Sequence, residues 1–155
     1  MIFWSILALI IVGLDQLTKY LVVQNIPFGT DISVIPGVID FTYVKNPGAA
    51  FSMLYEHTWL LCIISVVFCV LIAGYLILKK PSSKLFTAAL VLVLSGALGN
   101  AIDRIFAGSV VDFIETKFIN FPVFNVADIS VCVGAALLII YVLFFDNNKE
   151  EKSDG

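Results

Sequence analysis

Long apolar stretches alternate with short polar ones along this chain, and the polar residues gather near the ends of the apolar runs. The run 59–78 contains no charged residue and is long enough to cross the roughly 30 Å hydrocarbon core of a bilayer. The runs 85–102 and 129–145 are shorter but also uncharged. The first run, 1–14, would span only about 21 Å as a helix. It continues through Asp15-Gln16-Leu17-Thr18-Lys19-Tyr20-Leu21-Val22-Val23, which completes a crossing. This first segment lacks a basic leader and a small-residue cleavage site, so it reads as a retained helix and not as a cleaved signal peptide. The pattern predicts helices over about 2–23, 58–78, 84–104 and 128–146, with outer loops over about 24–57 and 105–127.

The two outer loops are not featureless. Residues 38–44 and 110–114 have strand-like composition, and Asn46-Pro47-Gly48 is a turn signal. The expected fold is an all-α polytopic membrane protein of four transmembrane helices, with a small β-sheet element and loops at the outer interface. Residues 1–147 are expected to form a single membrane-embedded domain, and 148–155 a frayed cytoplasmic tail.

Charge supplies an orientation. Of nine basic residues, Lys79, Lys80, Lys84, Lys149 and Lys152 fall on the side of the termini, against Lys19, Lys45, Arg104 and Lys117 opposite. The positive-inside rule therefore puts both termini in the cytoplasm and the two longer loops outside.

Composition excludes several function classes. Apolar residues make up 60% of the 155 and charged residues only 14%, with a mean hydropathy of +1.02, so this is not a soluble domain. The net charge of −3 and the absence of a basic tract argue against nucleic-acid binding. Cys62, Cys69 and Cys132 all lie in apolar runs and read as packing residues. The sole histidine, His57, opens an apolar run and reads as interfacial, and one histidine without clustered ligands makes no zinc site. No metal and no cofactor are expected, and the protein reads as a monomer.

Against this background the acids are conspicuous, because an ionisable group in a membrane segment is costly and is functional by default. Counting helix rise from the inner surface puts Asp15, Asn100, Asp103 and Asp128 all at about 21–27 Å, one layer just inside the outer interface. Asp112, in the second outer loop, can dip to that level. Ser95, Gly96 and Gly99 permit close helix approach on the third helix. Asp15 and Lys19 are four apart, the favourable order for a one-turn ion pair. Asp15, Lys19 and Asp103 read mainly as neutralised buried charge. Asp103 and Arg104, although adjacent, are free to pair with other groups, and the guanidinium of Arg104 also suits a carbonyl-rich ligand.

Asp112 and Asp128 suit general acid–base catalysis. Two close carboxylates share one proton, so the ionised member can activate water while the protonated one hydrogen-bonds a scissile carbonyl. Asp128 opens a helix, where the macrodipole favours the anion, and Asp112 lies between Val111 and Phe113, where desolvation favours the acid. Base Asp128 and acid Asp112 is the resting assignment, within a pair that titrates as a unit. Rival hydrolytic chemistry is poorly supported: no G-x-S-x-G or H-E-x-x-H motif is present, and nothing marks Ser52, beside Lys45 or Lys19, as activated.

Five blocks in order resemble the lipoprotein signal peptidase, or signal peptidase II, family. They are Asp15-Gln16-Leu17-Thr18-Lys19; Asn46-Pro47-Gly48-Ala49-Ala50-Phe51-Ser52; Ser95-Gly96-Ala97-Leu98-Gly99-Asn100-Ala101-Ile102-Asp103-Arg104; Val111-Asp112-Phe113; and Phe124-Asn125-Val126-Ala127-Asp128. The resemblance implies a bacterial membrane aspartyl endopeptidase that cleaves the signal peptide from diacylglyceryl-modified prolipoproteins just before the lipidated cysteine. It implies Asp112 and Asp128 as the catalytic dyad. Asn46, Asn100, Arg104 and Asn125 would bind substrate or orient the dyad, with Asp15, Lys19, Asp103 and Gly99 in support. Prolipoprotein and membrane lipid are the expected partners, in the bacterial cytoplasmic membrane with the site toward its outer face. An apolar entry groove is expected near Phe51 and Phe113, and Gly48, Ala49 and Ala50 are small enough for a flap over the site. The alternatives are an ion- or proton-coupled carrier, whose acids would bind a cation, and a structural subunit with buried ion pairs. Carrier sites lie near the midplane amid internal repeats, whereas these acids lie toward one face and no repeat is evident.

Overall fold

The computed structural model describes residues 2–48 and 58–146. Ala49, Ala50, Phe51, Ser52 and His57, and the tail 148–155, lie outside the described residues. Among the described residues four α-helices form: α1 (Ile2–Asn25), α2 (Thr58–Lys79), α3 (Lys84–Ala107) and α4 (Val126–Tyr141), the last running into a short π-helical turn, Val142–Asp146. Each is long and apolar enough to cross a membrane, α4 together with its extension.

Helix α1 buries its charged residues and exposes most of its apolar ones, the inverse of a helix in a water-soluble bundle. In α1 the buried residues are Asp15, Lys19 and Val22, while Phe3, Ile6, Leu9, Ile10, Leu14 and Leu17 are exposed. Lipid is as apolar as leucine, so such an exposed face costs nothing there, whereas an exposed charge would be expensive.

Helix α3 is the central member and packs against α1, α2 and α4. Ser83 caps its start by accepting a hydrogen bond from Phe86 N at 3.3 Å. Gly108, in the left-handed region at φ 69°, closes its end by donating to Arg104 O at 3.2 Å. Glycines let α3 and α4 approach closely. A Cβ on Gly134 would stand 2.8 Å from Ala89 O and 2.9 Å from Val93 N, and one on Gly96 would collide with Ala127 O.

The strands β1 (Asp31–Ile35), β2 (Ile39–Asn46) and β3 (Val110–Thr116) form an antiparallel sheet in the order β1-β2-β3. It packs against the end of α1 through Val22, Ile26, Tyr43 and Phe113. The expected sheet is therefore present, with β1 as an additional strand. Between β2 and β3 the register shifts by one residue: Phe41 pairs with Ile114, but Val44 pairs with Asp112. Thr42 and Tyr43 thus oppose Phe113 alone, a β-bulge. Beyond it, Asn46 lies on the same face as Asp112.

Candidate active site

Asp112 and Asp128 approach one cleft from different elements, Asp112 from β3 and Asp128 from the first turn of α4. The cleft encloses about 410 Å³. Asn46, Asn100 and Arg104 complete its polar end, and Phe121, Phe124, Ile129, Cys132 and Val133 are among its apolar walls.

The start of α4 is built as a capping box. Asn125 Oδ1 accepts from Asp128 N at 3.0 Å, and Asp128 Oδ2 accepts from Asn125 N at 3.1 Å. This reciprocal pairing holds Asp128 at the positive end of the helix dipole. Its other oxygen accepts from Asn100 Nδ2 at 2.8 Å.

Asp112 is held by two side-chain amides. Asn46 Nδ2 donates to Oδ2 at 2.8 Å, and Asn125 Nδ2 donates to Oδ1 at 2.7 Å. Burial pushes its carboxyl up to about 6, against the pull of Asn46. The charge of Asp128 pushes the same way, while Asn125 and Lys19 pull it down.

Behind this pair Lys19 Nζ lies 2.9 Å from Asp15 Oδ2 and 2.9 Å from Asp103 Oδ2, and donates to Asn100 Oδ1 at 2.8 Å. That oxygen also accepts from Asn125 Nδ2 at 3.2 Å. The amide of Asn100 therefore has one orientation, oxygen toward Lys19 and nitrogen toward Asp128. Asp103 and Arg104 do not pair with each other. Arg104 instead donates through Nη2 to Gly48 O at 3.2 Å, and its buried Nε has no partner among the described residues. Gly99 is required by Asp15, since a Cβ there would stand 2.6 Å from Asp15 Oδ2.

The nine polar site residues singled out in the sequence join one hydrogen-bonded set, Arg104 by donating through Nη1 to Asn100 O at 3.4 Å, and Gly99 makes room for it. The expected entry groove is only partly as anticipated. Phe113 is 3% exposed and packs with Val22, Ile26 and Tyr43, away from the cleft. Alternate residues of a strand face opposite ways, so a cleft-facing Asp112 turns Phe113 into the core. The apolar wall comes instead from residues 121–124 and α4. Phe124 is anchored to β3 by accepting from Ile114 N at 2.8 Å and donating to Ile114 O at 3.1 Å.

The family description of signal peptidase (SPase) II matches residues 7–144. This chain belongs to the signal peptidase II family. Similar relatives include the lipoprotein signal peptidases of Listeria monocytogenes serovar 1/2a, 44% identical over 95% of this chain and 96% of the relative, and of Enterococcus faecalis, 39% identical over 100% and 96%. A bacterial membrane enzyme solved by the in meso method at 2.3 Å resolution superposes with a TM-score of 0.90 at 34% identity, covering 96% of this chain and 92% of that one. A second, solved by the same method at 1.9 Å, gives 0.85, also at 34% identity, over 94% and 95%.

Membership makes the chain a multi-pass bacterial membrane protein and an aspartic peptidase, consistent with removal of signal peptides from prolipoproteins. The carrier reading is not favoured. Within the signal peptidase II framework, one participant went unassigned in the sequence. Gln16 Nε2 donates to Asp103 Oδ1 at 3.0 Å and to Gly99 O and Asp15 Oδ2 at 3.2 Å each. Its position beside Asp15, on a helix whose other face is lipid-exposed, was the available signal.

Proposed function

We propose that Asp112 and Asp128 are the catalytic dyad of an endopeptidase that cuts diacylglyceryl-modified prolipoproteins immediately before the lipidated cysteine. The observation that carries this reading is the two carboxylates on one cleft, each held by amide donors, with apolar walls running away from them along α4. The ionised carboxylate takes a proton from water, the resulting hydroxide attacks the scissile carbonyl, and the protonated carboxyl donates a hydrogen bond to the developing oxyanion. Collapse of the tetrahedral species breaks the C–N bond and passes a proton to the leaving amine, which becomes the amino group of the lipidated cysteine. No covalent enzyme intermediate is needed.

The resting assignment is base Asp128 and acid Asp112. The capping box and helix dipole favour an anion at Asp128. Asp112, with its carboxyl raised to about 6 chiefly by burial, keeps a proton more readily. Arg104, whose buried Nε has no partner among the described residues, and Asn46 at the cleft edge are suited to substrate carbonyls. Residues 1–147 are taken as one peptidase domain, active as a monomer. The lysines between α2 and α3 favour a cytoplasmic location for that loop, which puts both termini inside and the cleft at the outer leaflet. There the acyl chains of the substrate would anchor the cut bond beside the dyad.

The test is processing of a lipidated prolipoprotein by the purified protein, with an unlipidated precursor alongside. Cleavage of the lipidated form alone is expected, with both Asp112→Asn and Asp128→Asn inactive. Retained cleavage by either variant would remove that residue from the dyad.

A further inference from the structure

A second pair of buried carboxylates, Asp15 and Asp103, stands behind the proposed dyad, and one ammonium ties the two together. Lys19 Nζ is 2.9 Å from an oxygen of each, and its remaining donor goes to Asn100. An ammonium has three protons, so this set uses them all. Simple neutralisation does not explain the arrangement, because two carboxylates against one ammonium leave an excess negative charge in a buried site.

Each rear carboxylate also reaches a backbone amide. Asp15 Oδ1 accepts from Ala127 N at 2.9 Å, and Asp103 Oδ2 accepts from Val111 N at 3.2 Å. Ala127 immediately precedes Asp128, and Val111 immediately precedes Asp112. Each rear carboxylate therefore grips the residue just before one front carboxylate, and Lys19 holds the two grips together. Gln16 donates to both rear carboxylates, and Gly99 leaves the space that Asp15 occupies. None of Asp15, Lys19 and Asp103 lines the cleft.

We propose that Asp15, Lys19 and Asp103 form a positioning clamp that sets the separation of Asp112 and Asp128 by holding the backbone amides of Ala127 and Val111. The clamp rests on the dyad assignment above and adds a role for α1, which reaches the dyad through the backbone of α4 and β3 as well as through the Lys19–Asn100–Asp128 hydrogen bonds. A misplacement of about 1 Å at a reacting group can cost about 100-fold in rate.

The test compares two double variants of equal charge in the full-length protein, with cleavage of lipidated prolipoprotein as the readout. Asp15→Asn with Lys19→Met keeps an oxygen acceptor for Ala127 N. Asp15→Ala with Lys19→Met keeps none. Rates are divided by the fraction of molecules that bind a lipidated, non-cleavable substrate analogue, so lost folding is not counted as lost catalysis. The alanine double variant is expected to fall about 100-fold in kcat with KM within about threefold, and the asparagine one to stay within about tenfold of wild type. Gly99→Ala keeps every charge and donor but displaces the Asp15 carboxylate, and it should lower kcat at least about tenfold at unchanged KM. It decides the matter if a double variant does not fold.

Equal kcat for the two doubles, or wild-type kcat for Gly99→Ala, would overturn the clamp. A purely structural role would change the binding-competent fraction and leave kcat per competent molecule unmoved. Failure of the wild-type protein to cut the lipidated substrate would instead overturn the dyad reading.

Discussion

Asn125 donates a 2.7 Å hydrogen bond to Asp112 Oδ1 while its own side-chain oxygen caps the helix that presents Asp128. One amide thus couples a strand acid to a helix acid. Asn125→Ala should lower thermal stability by about 1 kcal/mol through the lost cap. It should lower kcat by a further 10–100-fold, roughly, because both carboxylates lose a positioning contact. Unfolding in detergent, paired with turnover, separates the two effects. A stability loss with unaltered turnover would show that the cap alone matters.

The pH dependence of cleavage follows from Asp112. Its carboxyl is pushed up to about 6, so an acid role requires the protonated form and activity should decline as pH rises past about 6. Removing the charge of Asp128 removes one upward push and leaves burial, the larger cause, in place. In Asp128→Asn the carboxylic C=O infrared band assigned to Asp112 should therefore disappear at a lower pH than in wild type. A higher midpoint in the variant would contradict this electrostatic account.

Helix packing makes a prediction independent of catalysis. Gly134→Ala forces a Cβ against the backbone of α3 at Ala89 and Val93, and should destabilise by about 1–3 kcal/mol. A Cβ on Gly74 would meet nothing within 4 Å, so Gly74→Ala should be neutral or stabilising by up to about 1 kcal/mol. Equilibrium unfolding in mixed micelles ranks the two. Equal effects would mean that α3 and α4 are not in this close contact.

Cys132 is exposed on the cleft wall, one turn along α4 from Asp128. Cys132→Phe would fill part of the roughly 410 Å³ cleft and should raise KM for a lipidated substrate several-fold or more. A one-methylene difference in an apolar pocket is already worth about 1–3 kcal/mol. Steady-state kinetics with substrates of different acyl length would register the change, and an unaltered KM for all of them would place the substrate elsewhere.

Much of the site was legible because charge in an apolar run is hard to overlook. Asp15, Lys19, Asp103 and Asp128 declared themselves by cost, and helix rise put the three acids, with Asn100, at one depth. Their partners were less visible, since Ala127 N and Val111 N are backbone groups that no side-chain pattern reports. Strand β1 left little trace because all five of its residues are exposed, so no one-sided burial marks it. The ion pairs of Lys117 with Asp31, Asp40 and Glu115 join residues of β1, β2 and β3 and depend on strand register, which the sequence does not specify. Nothing in the apolar run around Gly134 marks it, because what requires a glycine there is the backbone of α3 at Ala89 and Val93. Phe113 was assigned to the wrong wall for want of knowing which face of its strand meets the cleft.

The register shift between Phe41 and Val44 carries a consequence for sequence length. The bulge gives β2 one residue more than β3 needs between these pairs, so deleting Thr42 or Tyr43 would leave an unbroken ladder with Val44 still opposite Asp112 and Asn46 still opposite Val110. A one-residue insertion there, with the single bulge kept, would instead move Lys45 opposite Val110 and turn Asn46 to the other face, exchanging a neutral amide for an ammonium beside Asp112. The strand can therefore shorten by one residue at the bulge without disturbing the cleft, but cannot lengthen by one.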